Sequence, residues 1–191
     1  MNPSGLPPPP NEKSRTKADV ALEWKAVKSY VNLMNGLCSL LKPDNVLLGI
    51  SPSSKKRIFE QASQTLSLIY GLDRKEIFDG LFARERLGST YLDHGIALPH
   101  CRLPNIKEPC CLFVKLHGEL ESDRPGEPAV SAFFFLIAPE EAASEHLALL
   151  ASAAEVFSDD TLREKLLAAS SADTFCGTLR SWCSVQPSDK A

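Results

Sequence analysis

No run of about eighteen apolar residues occurs in this chain of 191, so no membrane-spanning helix is expected. The opening residues, MNPSGLPPPPNEKSR, hold no apolar core of a secretory leader. Positive charge is not in excess: 21 Lys and Arg stand against 24 Asp and Glu, a formal net charge of −3. The basic footprint of a nucleic-acid binder is therefore missing. No Gly-rich P-loop is present, which argues against a nucleotide site. The six cysteines (Cys38, Cys101, Cys110, Cys111, Cys176 and Cys183) form no C-x-x-C pair. With no export signal, free thiols in a reducing cytoplasm are the expectation. A chain of this length buries a core without needing disulfides.

What is present divides the chain in three. Residues 1–17 carry PPPP and a polar run, and read as a disordered Pro-rich tail. Residues 18–33 place Val20, Trp24, Val27 and Val31 at helical spacing, the pattern of an amphipathic helix. Residues 34–185 read as the domain proper, and Met34 is a candidate internal start.

Within that domain a strand is expected at Val46–Ile50. A helix follows, capped by Ser51 or Ser53, with Ile58, Ala62, Leu66 and Ile69 in one stripe and Gly71 at its end. Asp73 opens a second helix with Glu76 three residues on, a capping box. It buries Ile77, Phe78, Leu81 and Phe82 and stops near Gly88. Strands are expected at Gly95–Leu98 and Cys110–Leu116. The wholly apolar Ala132–Ala138 reads as a central strand covered on both faces. A long helix then turns Leu147, Leu150, Ala154 and Phe157 inward, and two shorter helices close the chain. Mixed order of this kind predicts an α/β fold, a three-layer domain with a central sheet flanked by helices.

The stretch GIALPHCRLP, Gly95–Pro104, is where chemistry concentrates. Pro99 has no backbone donor, so the strand is expected to stop at Leu98–Pro99 and present His100 at the sheet rim. A histidine that merely ends an exposed strand is the alternative. Upstream, Arg84 and Arg86 lie near a helix C-terminus, where cations suit the dipole. One guanidinium turned inward would serve an anion, since its planar fork fits phosphate oxygens. Ser89 and Thr90 would add hydroxyl donors. His146 borders the apolar stripe of the long helix. Alone it reads as a packed surface residue; with His100 and an arginine it completes a set that holds a dianion without a metal. His94 and His117 read as surface residues.

These residues carry a resemblance. RERLGSTYLDHGIALPHCRLP closely resembles the active-site segment of the IIA components of the bacterial phosphoenolpyruvate-dependent phosphotransferase system (PTS), fructose/mannitol type. LGST after the arginine is most like the nitrogen-regulatory branch. The likeness runs from about Met34 to Cys183. It implies the type-2 IIA fold, a mixed sheet flanked by helices, and a phosphocarrier function. His100 then matches the histidine that takes the phosphoryl group, Arg84 the arginine that contacts it, and His146 the supporting histidine. The implied donor is a small histidine-containing phosphocarrier protein, and no cofactor or metal is implied. In the nitrogen-regulatory branch the domain signals by contacting target proteins in nitrogen, potassium or carbon control.

Two departures stand out. YLDHG gives a bulkier approach to Gly95 than the family's glycine-rich turn. Cys101 follows the histidine where a glycine or other small residue is common, placing a thiol to crowd the phosphate or be oxidised. One rival reading is a binding module of the same fold that is not phosphorylated. The other is a thiol or metal site built from Cys101, His100 and His94, though H-x5-H-C matches no standard zinc spacing.

Overall fold

The computed structural model describes residues 36–122 and 125–185. The Pro-rich tail at 1–17 and the amphipathic helix at 18–33 lie outside the described residues. After a helical segment at residues 36–40 and a 3-10 turn at Pro43–Asn45, the chain enters strand β1, Val46–Ile50. Helices α1 (Lys55–Tyr70) and α2 (Arg74–Leu87) follow. Next come β2 (Tyr91–Asp93), β3 (Ile96–Ala97), β4 (His100–Leu103), β5 (Cys110–Leu120) and β6 (Val130–Pro139). Helices α3 (Ala143–Ser158), α4 (Asp160–Leu167) and α5 (Ala172–Val185) complete the fold.

The sheet has the order β1-β5-β6-β3-β2, with β4 also on β6. It is mixed: β1 runs parallel to β5, while β5 and β6 are antiparallel. Central β6 is buried on both faces, as its unbroken apolar run requires. One face packs Ile58, Phe59, Leu66, Ile77 and Leu81 of α1 and α2. The other packs α3, α4, α5 and the 36–40 segment through Phe157, Leu162, Phe175 and Leu37. Alternation along β5 sends Cys110 to the first face and Cys111 to the second.

Local chemistry explains most boundaries. Ser54, not Ser51 or Ser53, caps α1: it is extended, and its Oγ accepts the Arg57 N–H at 3.2 Å. Gly71 ends the helix in the left-handed region, at φ 70°. Asp73 caps α2 by accepting the Glu76 N–H at 2.8 Å.

Three expectations are corrected. The strand breaks at Leu98–Pro99 as expected, but it resumes as β4 at His100. Ile96 pairs with Ala132, Ala97 with Phe133 and His100 with Leu136, so β3 and β4 follow one register along β6. Pro99 removes a donor, yet its carbonyl still accepts the Leu136 N–H at 3.0 Å, and the chain continues. His100 thus opens β4 on a path that continues along β6, instead of following the last strand residue at a rim. The long helix is also turned in part: Phe157 is buried and Leu150 partly so, as expected, but His146, Leu149, Ala153 and Val156 also face inward, and Leu147 is 67% exposed. Finally, Cys38 and Cys183 are not free thiols but a disulfide, with Cα atoms 6.8 Å apart. Cys101, Cys110, Cys111 and Cys176 are free and buried.

The altered approach loop folds as a tight β2–β3 turn, with His94 at φ 51° and Gly95 at φ 75°. A Cβ on Gly95 would lie 2.8 Å from Ser131 Oγ. Gly95→Val is therefore expected to lower stability by about 2–4 kcal/mol, combining backbone strain and overpacking. Urea unfolding checks this, and an unchanged midpoint would contradict it.

Candidate functional site

The two helical layers meet at β4. Alternation places Cys101 and Leu103 among the side chains packed by α1 and α2, so His100 and Arg102 face the side of α3. Gly80 lets α2 approach β4 closely: a Cβ there would come within 2.8 Å of Leu103 Cδ2 and 3.1 Å of Cys101 Sγ. One turn on, Arg84 reaches His100, its Nε–H donating to His100 Nε2 at 3.1 Å. Its Nη1 donates to the Gly88 carbonyl at 3.0 Å, which fixes the guanidinium at the helix end. Arg86, the other candidate cation, is exposed.

The second nitrogen of His100, Nδ1, is 2.8 Å from the Leu98 carbonyl oxygen. A carbonyl only accepts, so Nδ1 carries the proton and Nε2 keeps its lone pair. His146 enters from α3, its ring centroid 5.3 Å from that of His100. It is 5% exposed, and its Nδ1 is buried with no hydrogen-bond partner among the described residues. The three residues expected from the sequence therefore converge. A cleft of ≈ 640 Å³ opens over them, edged by Arg102, Leu87 and Leu147.

Both imidazoles are held neutral. Burial lowers the pKa of His100, with the Arg84 charge helping and the Leu98 hydrogen bond opposing. Burial, with the neighbouring His100 and Arg102, lowers His146 from 6.5 to about 4. Below pH 6.5 the unfolded chain takes up a proton at position 146 that the folded chain refuses. Stability from neutral His146 is thus complete above pH 6.5 and lost as pH falls toward about 4. The full displacement corresponds to ~3 kcal/mol. Urea midpoints between pH 7.5 and 4.5 should fall more steeply for the wild type than for His146→Leu. Parallel curves would contradict this.

Other expectations come out differently. Thr90 is buried and its Oγ1 donates to Glu85 Oε2 at 2.5 Å, so it offers nothing to the cleft. Ser89 Oγ accepts the Tyr91 N–H at 3.2 Å. Cys101 borders the cleft, but its thiol belongs to the opposite core, where burial pushes its pKa up to about 12. It is not the reactive, crowding thiol that its place in the sequence suggests. His94 and His117 are exposed. Two residues escaped the sequence reading. Arg102 shares a face with His100, as i, i+2 spacing signals. Glu85 is an acid in the last turn of a helix, against the dipole, and such a misplaced charge signals a partner.

A neutral nucleophilic imidazole, a guanidinium on its lone pair and a second imidazole beside it form a set whose chemistry suits a dianionic group. The comparisons with known proteins give the family. Residues 39–182 match the family described as phosphoenolpyruvate-dependent sugar phosphotransferase system, EIIA 2. The chain belongs to this family and falls in its nitrogen-regulatory branch. It is 35% identical over 135 residues to a nitrogen regulatory protein of Pseudomonas aeruginosa, covering 70% of this chain and 88% of the relative. A nitrogen regulatory protein homolog of Haemophilus influenzae is 31% identical, over 72% of this chain and 86% of its own. Among solved structures, IIA-Ntr of Neisseria meningitidis superposes with a TM-score of 0.69 at 37% identity, covering 74% of this chain and 97% of that one. IIA mannitol of Escherichia coli shares the fold, with a TM-score of 0.62 at 20% identity over 73% of this chain and 98% of that one. No helix among the described residues is long and apolar enough to cross a membrane.

Proposed function

We propose that this protein is a phosphocarrier that accepts a phosphoryl group on His100 Nε2 from a small histidine-containing phosphocarrier protein. Its phosphorylation state would then govern contacts with regulated target proteins. The observation that carries this reading is the pairing of Arg84 Nε with His100 Nε2 at 3.1 Å, while Nδ1 is tied to the Leu98 carbonyl. The nucleophilic nitrogen is thereby defined and a cation already sits where charge will develop.

As the donor's N–P bond breaks, a new bond forms from the Nε2 lone pair to phosphorus, in line with the leaving nitrogen. The guanidinium leaves the lone pair and takes phosphoryl oxygens, where charge-assisted hydrogen bonds are strong. His146 supplies a further hydrogen bond, and a phosphoryl oxygen would give its unpartnered Nδ1 a partner. No acid–base step is needed, because His100 is already neutral near pH 7.

Leu87 and Leu147 support a protein as the donor. They are 86% and 67% exposed, and both edge the cleft. Exposed leucines around a polar site suit a docking rim better than a small-molecule pocket. The double variant Leu87→Asp, Leu147→Asp should raise the KM for the donor about tenfold or more while leaving the fold intact. An unchanged KM would remove the rim from the interface.

The test of the function is incubation with phosphoenolpyruvate and the purified donor proteins, followed by intact mass and peptide mapping. One phosphoryl group on His100 is expected. A chain that stays unlabelled while a known acceptor in the same tube is labelled would leave only a non-phosphorylated binding module of this fold.

A further inference from the structure

Glu85 is a charged side chain with only 6% exposure, one residue beyond Arg84 and outside the cleft lining. Lys55 Nζ of α1 donates to its Oε1 at 2.6 Å, and Thr90 Oγ1 donates to its Oε2 at 2.5 Å. Thr90 leads onward: its carbonyl accepts the Leu98 N–H at 2.8 Å. The Leu98 carbonyl in turn accepts from His100 Nδ1. A continuous path therefore runs from a buried ion pair to the nitrogen that sets the histidine tautomer. The loop it crosses is held a second time, where Arg84 grips the Gly88 carbonyl.

We propose that Glu85 and Thr90, anchored by Lys55, are positioning residues for phosphoryl acceptance: they hold the Leu98 peptide so that His100 keeps its proton on Nδ1 and its lone pair on Nε2. This rests on the reading of His100 as acceptor and deepens it. The physical case is that the Leu98 N–H to Thr90 carbonyl bond, at the flanks of β2 and β3, helps fix the residue whose own carbonyl meets His100 Nδ1. Both strands are short, so one hydrogen bond between them has leverage. The Thr90 hydroxyl ties that bond to a buried, ion-paired carboxylate, which is rigid where a lone turn would fluctuate.

The test compares Thr90→Val, which keeps shape and removes the hydroxyl, with Thr90→Ser, which restores it. Two readouts are taken on the full chain: the ¹⁵N shifts of the His100 ring and the steady-state kinetics of phosphoryl acceptance. For Thr90→Val the ring nitrogens should move from the Nδ1–H pattern toward a tautomer mixture. The maximal rate should fall about tenfold with the donor KM unchanged, and Thr90→Ser should recover both. Should Thr90→Val not fold, Glu85→Gln carries the same test, with the same loss expected. Ring shifts and maximal rate matching the wild type, in either folded variant, would overturn the proposal even if the thermal midpoint dropped. The ring shifts need no donor, so a wild-type chain that is never labelled would remove the acceptor reading while the relay stood or fell on the tautomer alone.

Discussion

His100→Ala should abolish phosphoryl acceptance altogether, with no label above background after exhaustive incubation with donor. The reason is chemical. The other histidine in the cleft, His146, is 5% exposed and only weakly basic, its pKa held at about 4 by its surroundings, which makes it a poor nucleophile, and the nearby thiol Cys101 faces the opposite core with its pKa up at about 12. Neither is placed to take over. The fold should survive, because the half-buried ring contributes two hydrogen bonds and little packing, a loss of about 1–2 kcal/mol. Circular dichroism and a urea midpoint check that side, and full labelling of the variant would dismiss His100 as the acceptor.

Arg84→Ala should slow acceptance by about 100- to 1,000-fold, the scale of losing one preorganised donor aimed at developing charge. The variant should still fold, since the guanidinium is spent on His100 and the Gly88 carbonyl at a helix end. Arg84→Lys should recover little, because an ammonium cannot hold the carbonyl and meet phosphoryl oxygens with one planar fork. Rapid-quench measurement of the single-turnover rate is the decisive readout. A rate within a factor of about three of the wild type would deny Arg84 any part in charge stabilisation.

The contrast between Arg84 and Arg86 shows what was legible beforehand. Both are cations near a helix C-terminus, and the sequence leaves either free to turn inward. The choice follows from Gly80: a helix with no side chain there settles on β4 and brings position 84, one turn later, over His100. Helix α3 makes the same point from the other direction. Counting apolar residues favours Leu147, Leu150, Ala154 and Phe157 as the buried face, and Phe157 is indeed buried. The helix instead turns His146 inward and leaves Leu147 out. Burying an imidazole costs more than burying a leucine, and the site prevails over hydrophobic economy. At functional positions local pattern and tertiary arrangement are expected to disagree.

Helix caps at Asp73 and Gly71 rest on contacts within a few residues, the burial of Phe133–Phe135 on an unbroken apolar run and the candidacy of His100 on its motif, and the sequence alone determined them. Tertiary structure decided the rest: the side on which Cys101 lies, the buried partner of Thr90, the meeting of Cys38 with Cys183 and the orientation of His146. Each of these depends on atoms supplied by distant segments. A linear pattern records which residues prefer to be buried, but only packing settles against what, and in which direction, they are buried.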